Sequence, residues 1–73
     1  MIGNDGKPMT RDMVRAAVAI YNTASRGSKE FATLPRALVT ILDGLTVGKT
    51  TYVKGQDGQV PLNRRKDKTI TAG

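Results

Sequence analysis

The sequence predicts a small α+β domain, and three features carry that prediction. Apolar residues recur at three- and four-residue intervals between Thr10 and Asp43, the spacing of buried helix faces. From Leu45 the composition shifts to β-branched residues in LTVGKTTYVK. Gly55-Gln56-Asp57-Gly58 then reads as a tight turn ahead of a second extended run, QVPLN. The expected architecture is one domain over residues 1–73: two main helices, a short helical turn and a C-terminal β-hairpin, with flexible termini. The ordered core should run from about residue 10 to about residue 63, between a flexible segment 1–8 and a basic, mobile tail 64–73.

The first element is TRDMVRAAVAIYNTASRG, from Thr10 to Gly27. Thr10 suits an N-cap and Asp12 suits the positive end of the helix dipole. Gly27 fits a left-handed closing residue, with Arg26 beside the negative end. Met13, Ala16, Ala17, Ile20 and Ala24 share a face, widened by Val14, Val18 and Tyr21, so the helix should pack on two sides. Arg11, Arg15, Asn22 and Arg26 share the opposite face.

Ser28 can cap a short turn around 29–33, with Glu30 well placed in its first turn. Pro35 interrupts any continuous helix, so a new one should start near Leu34 or Pro35 and end at Asp43, closed by Gly44. Its buried face is Leu34, Ala37, Leu38, Ile41 and Leu42, joined by Phe31, and it should pack on the first helix. In the hairpin, Val53, Val60 and Leu62 should lie on the helices. Pro61 lacks an N–H, which predicts an edge or short strand there.

Net charge is +6, with twelve Lys and Arg against six Asp and Glu. Such a balance favours an anionic partner: nucleic acid phosphates or an acidic protein surface. With no cysteine and no histidine, neither disulfides nor a Cys/His metal site is available to prop so small a core. No apolar run reaches the roughly 18 residues of a membrane span, so the expected setting is the cytoplasm, with no membrane partner.

Catalytic chemistry finds no support. The carboxylates are scattered singly, and Ser25 and Ser28 have no base nearby to activate them. Gly44-Leu-Thr-Val-Gly48-Lys49-Thr50 imitates a phosphate-binding loop but is one residue short, and it follows a helix where that loop follows a strand. Gly48 therefore reads as a turn residue and Lys49 as surface charge. No enzyme activity, cofactor, metal or small-molecule substrate is expected.

The binding candidates are the run Arg64, Arg65, Lys66 and Lys68, and the helix stripe Arg11, Arg15 and Arg26. Either can meet phosphates or an acidic surface; either can also be ordinary solvated charge. Two helices and a hairpin also echo a helix-turn-helix or winged-helix DNA-binding repressor. The second helix, however, offers base edges only Arg36, Thr40 and Asp43. Nonspecific nucleic-acid packaging is a third class.

With its RDMVRAAVAIYN and LPRALVTILDG helices and its NRRKDK run, the whole chain resembles the small RNA-polymerase-binding transcription regulators of lytic Xanthomonas phages. That resemblance implies a protein of the host bacterial cytoplasm that binds the N-terminal part of the polymerase β′ subunit near the RNA exit channel. It implies inhibition of initiation, by loosening the promoter-specificity factor, and antitermination. On this expectation the tail cations hold nascent RNA, and the Arg11/Arg15 side of the first helix meets the polymerase.

Overall fold

The structure is a computed structural model that describes residues 8–73. The flexible lead-in expected over residues 1–7 lies outside the described residues. Three helices precede three strands: α1 (Arg11–Thr23), α2 (Lys29–Ala32), α3 (Arg36–Asp43), β1 (Thr50–Gly55), β2 (Gly58–Arg64) and β3 (Ile70–Ala72). The strands form one antiparallel sheet in the order β1-β2-β3. The domain is thus of the α+β class, with helices on one face of the sheet.

Thr10 caps α1 as its chemistry requires: its hydroxyl accepts the Met13 N–H at 3.3 Å. A second, non-local cap comes from the hairpin turn, where Asp57 Oδ1 accepts the Arg11 N–H at 2.7 Å. Met9 seals the same junction, its carbonyl accepting the Gln56 N–H at 2.7 Å. Gly55 makes this approach possible. A Cβ there would stand 3.1 Å from the Met9 carbonyl oxygen and 3.2 Å from the Arg11 nitrogen, both backbone atoms.

α1 ends at Thr23, earlier than Gly27 led us to expect, with Ala24 as its extended C-cap. Arg26 therefore does not serve the helix end. The buried stripe also turns relative to the expected one: Val14, Ala17 and Val18 face the core, while Met13 remains 46% exposed. Beside that stripe Ile20 and Tyr21 are partly buried, so α1 packs on the sheet and, through Tyr21 against Phe31, on α2. Ser28 caps α2, accepting the Phe31 N–H at 3.2 Å. α3 begins after Pro35 and closes at Gly44, with Leu38 and Leu42 buried along it and Leu34 buried just ahead of its N-cap. Side chains, and not closely apposed backbones, join α3 to α1.

Alternation along the strands defines two sheet faces. Val53, Val60, Leu62 and Ile70 point to the helices and complete a core with Met9, Leu38, Leu42 and Leu45. Thr50, Tyr52 and Lys54 of β1 lie opposite Asn63, Pro61 and Gln59 of β2 on the other, outward face.

Two expectations are corrected here. Residues 64–73 are not a free tail after a hairpin, because Ile70–Ala72 pairs with Leu62–Arg64 and Ile70 is buried. Consequently Pro61 lies in the central strand. It is accommodated because its carbonyl points to the β3 side, accepting the Gly73 N–H at 3.0 Å. The N–H it lacks would face that same side, beyond the last residue of β3, so the β1 ladder loses nothing.

Candidate nucleic-acid interface

The run predicted to be a tail is a structured loop between β2 and β3. Asp67 Oδ1 accepts from the Thr69 N–H at 3.1 Å and the Thr69 hydroxyl at 2.6 Å. Arg65 N–H donates to Thr69 O at 2.8 Å, and Lys68 N–H to Arg65 O at 2.9 Å. Lys68 takes a left-handed conformation, φ 74°, which costs a non-glycine residue about 1 kcal/mol or more. The Asp67–Thr69 bonds and the grip of Arg64 on the Lys68 carbonyl hold it there. Arg65, Lys66 and Lys68 are consequently exposed on a short, shaped turn.

Arg64 parts company with its neighbours. Its guanidinium turns inward: Nε donates to Leu45 O at 3.0 Å, Nη2 to Leu42 O at 2.7 Å, and Nη1 to Lys68 O at 2.7 Å. The Leu42 carbonyl belongs to the last turn of α3, where unpaired carbonyls and the dipole favour a cation. Arg64 is a clamp between α3 and the β2–β3 loop.

Lys49 takes its place at this end of the sheet. Gly48, at φ 86°, turns the chain into β1, and Asn63 Nδ2 reaches Lys49 O at 3.3 Å and Thr50 Oγ1 at 3.2 Å. Lys49 thus lies just before β1, at the end of the sheet where β2 leads into the loop that carries Arg65, Lys66 and Lys68. Lys49, Arg65, Lys66 and Lys68 form a basic cap on one end of the sheet. By sequence Lys49 is plain surface charge; only the β1–β2 register brings it to this end of the sheet.

The helix arginines are brought neither to this cap nor to one another. Arg11 Nε lies 3.7 Å from Asp57 Oδ2, and Arg15 Nη1 lies 2.8 Å from Asp12 Oδ1. Arg26 forms an ion pair with Asp43, and Tyr21 donates its hydroxyl to Asp43 Oδ1 at 2.6 Å. The Arg26 guanidinium also lies over two rings, 5.6 Å from the Tyr21 centroid and 5.1 Å from that of Phe31. Each arginine of the stripe is matched by a carboxylate, so the helix face has little net field.

These pairings move the carboxyl pKa values. Asp43 titrates below its ordinary range because Arg26, and then Tyr21, hydrogen-bond the carboxylate. The Arg11 backbone N–H lowers Asp57, and the Thr69 hydroxyl and N–H lower Asp67. A folded-state value below the unfolded one stabilises the fold above the unfolded pKa and is lost as pH falls through the folded one. Denaturant midpoints should therefore be level from neutral pH to about pH 5 and fall below about pH 4. Asp43→Asn should have a lower midpoint at neutral pH and a shallower fall in acid; an unchanged slope would show that Asp43 is not linked to folding.

The outward side of α3 presents Arg36 and Thr40, and the Thr40 hydroxyl donates to Arg36 O at 3.0 Å. Base readout has little to work with there. Among the described residues, no three carboxylates converge to hold a metal, and no helix is long and apolar enough to cross a membrane. The cap presents two kinds of cation: Lys49, Lys66 and Lys68 are point charges, and Arg65 has a planar fork of the geometry that matches phosphate.

Fold and surface together define a class: a two-layer α+β domain in which Arg11, Arg15 and Arg26 are each paired with an aspartate, and whose β2–β3 loop gathers three cations around Asp67. No family model, curated protein or solved structure matches the chain.

Proposed function

We propose that the protein is a non-enzymatic transcription regulator that binds a bacterial host RNA polymerase and holds nucleic-acid phosphates with Lys49, Arg65, Lys66 and Lys68. The observation that carries the phosphate half is the segregation of charge. Three arginines elsewhere are paired one to one with aspartates, while these four exposed cations share one end of the sheet with a single carboxylate in their loop, Asp67 beside Arg65. The polymerase half is supported by the sequence resemblance: contact with β′ near the exit channel, inhibition of initiation, and antitermination. A basic cap beside an RNA exit acts by occupying space and by competing with terminator-hairpin closure for the transcript backbone.

Phosphate contacts release counterions, so affinity for a single strand should fall with salt, with a slope of about −0.7 per contact. Full engagement of the cap predicts a log–log slope near −3 on the same scale. Changing all four cations to alanine should weaken binding of a labelled oligonucleotide about tenfold at moderate salt and flatten that slope. The same variant should still retain polymerase in a pull-down while losing terminator read-through in vitro. Unchanged oligonucleotide binding would remove the cap from the mechanism; wild-type protein that retains no polymerase would remove the partner.

The order of three helices followed by a small antiparallel sheet favours one second reading, a winged-helix or helix-turn-helix repressor. It requires α3 to read bases with Arg36 and Thr40 alone. Sequence-selective duplex binding at physiological salt would decide in its favour.

A further inference from the structure

We propose that the outward face of the sheet is a stacking platform on which Tyr52 receives an unpaired base, so that the strand held by the cap is single-stranded. This rests on the reading of the cap as a phosphate site. Tyr52 is 62% exposed, whereas the chain's other two aromatic residues are engaged: Tyr21 and Phe31 pack at 5.9 Å between centroids, under Arg26. An aromatic ring left in water contributes little to the core, and this one occupies the middle of a strand on the face away from the helices.

Its surroundings suit a nucleotide. Pro61 lies directly across from Tyr52, and the pair forms a small flat apolar floor. Thr50, Gln59, Asn63 and Thr71 ring that floor with hydrogen-bonding groups, Lys54 lies on the same face, and none of these outward positions carries a carboxylate. Lys49 precedes Tyr52 by three residues, about 10 Å along an extended strand. A chain whose phosphates engage the cap is thereby led across the sheet, with a base free to turn down onto the ring. A duplex keeps its bases inside its own stack and offers this face none, whereas every unpaired base has a π-face for an aromatic platform.

Three labelled probes test this: a short oligouridylate, an abasic strand of the same length, and a duplex. Tyr52→Ala should weaken oligouridylate binding about tenfold and leave abasic binding unchanged, while Tyr52→Phe keeps the wild-type affinity for both. Wild-type protein should prefer oligouridylate to duplex. The platform is overturned if Tyr52→Ala binds oligouridylate as wild type does, if it loses abasic binding to the same extent, or if wild type prefers the duplex. Failure of the parent reading has its own signature: the abasic strand binds the four-alanine cap variant as tightly as wild type. Tyr52 is exposed and Tyr52→Phe preserves the ring, so a folding defect would appear as a shared loss on the abasic probe.

Discussion

Replacing Arg64 with methionine is expected to destabilise the domain by about 3 kcal/mol, because three backbone carbonyls lose their charged donor at once. Methionine keeps an apolar stem of similar reach, so the loss isolates the guanidinium from the packing of its methylenes. Hydrogen bonds to an ionised group contribute about 1.5–3 kcal/mol each. Here Leu42 O, Leu45 O and Lys68 O share one half-buried group, and water can reach the carbonyls once it is removed, so the net loss falls below the simple sum of three bonds. A domain of this length has roughly 4–11 kcal/mol of stability in all, so the variant should unfold at a much lower denaturant midpoint with an unchanged slope. Arg64→Lys keeps the charge but cannot reach three carbonyls with one ammonium, and should recover about half of the loss. This pair of variants separates a clamp from a phosphate contact. Should both variants keep the wild-type midpoint and instead lose oligonucleotide affinity, Arg64 belongs with the cap.

Arg64 also shows where sequence reading stops. In NRRKDK nothing distinguishes it from Arg65, since its carbonyl partners at Leu42 and Leu45 lie 22 and 19 residues upstream. The features that could be read were local. Thr10 and Ser28 cap through bonds spanning three residues, and Gly55–Gly58 forms its turn from its own conformational preferences. Leu34, Leu38 and Leu42 announce a ridge by spacing alone. The features that could not be read depend on the folded arrangement. Asp57 and Asp43 neutralise Arg11 and Arg26 from 46 and 17 residues away, so a stripe that looked like a binding face is internally compensated. Lys49 joins the cap only through the register of β1 on β2. Ile70-Thr71-Ala72 carries a single large apolar residue, too little pattern to separate a strand from a tail, and it is the third strand that places Pro61 in the middle of the sheet. Gly27 resembled a helix stop, but α1 ends where Asn22 is drawn to β3.

That contact sets the second large effect. The Asn22 side-chain amide acts as another strand toward β3: Nδ2 donates to Ile70 O at 2.8 Å, and Oδ1 accepts the Ile70 N–H at 3.0 Å. Both backbone groups of Ile70 point away from β2, so without Asn22 they have no ladder partner, and the residue is 3% exposed. Asn22→Leu replaces the amide with an apolar group of similar size and leaves a buried donor and acceptor unpaired, at a cost of about 2–3 kcal/mol. Asn22→Asp keeps the acceptor but sets a carboxylate oxygen against the Ile70 carbonyl, and should cost at least as much. The loss need not unfold the whole domain. β3 is a three-residue edge strand, and local opening that frees it limits the penalty to the free energy of docking it. Hydrogen exchange then distinguishes the outcomes: protection of the Ile70 amide should collapse in both variants, while the Val14 and Leu38 amides remain protected. If Val14 and Leu38 lose protection together with Ile70, β3 is part of the cooperative core. If Ile70 keeps its protection in Asn22→Asp, the amide pair is not what holds the third strand. The first outcome has a functional corollary, because the β2–β3 loop carries three of the four cap cations. A variant that frees β3 but preserves the helices should retain the charge of the cap and lose its shape, so its oligonucleotide affinity should fall even though no cation has been removed.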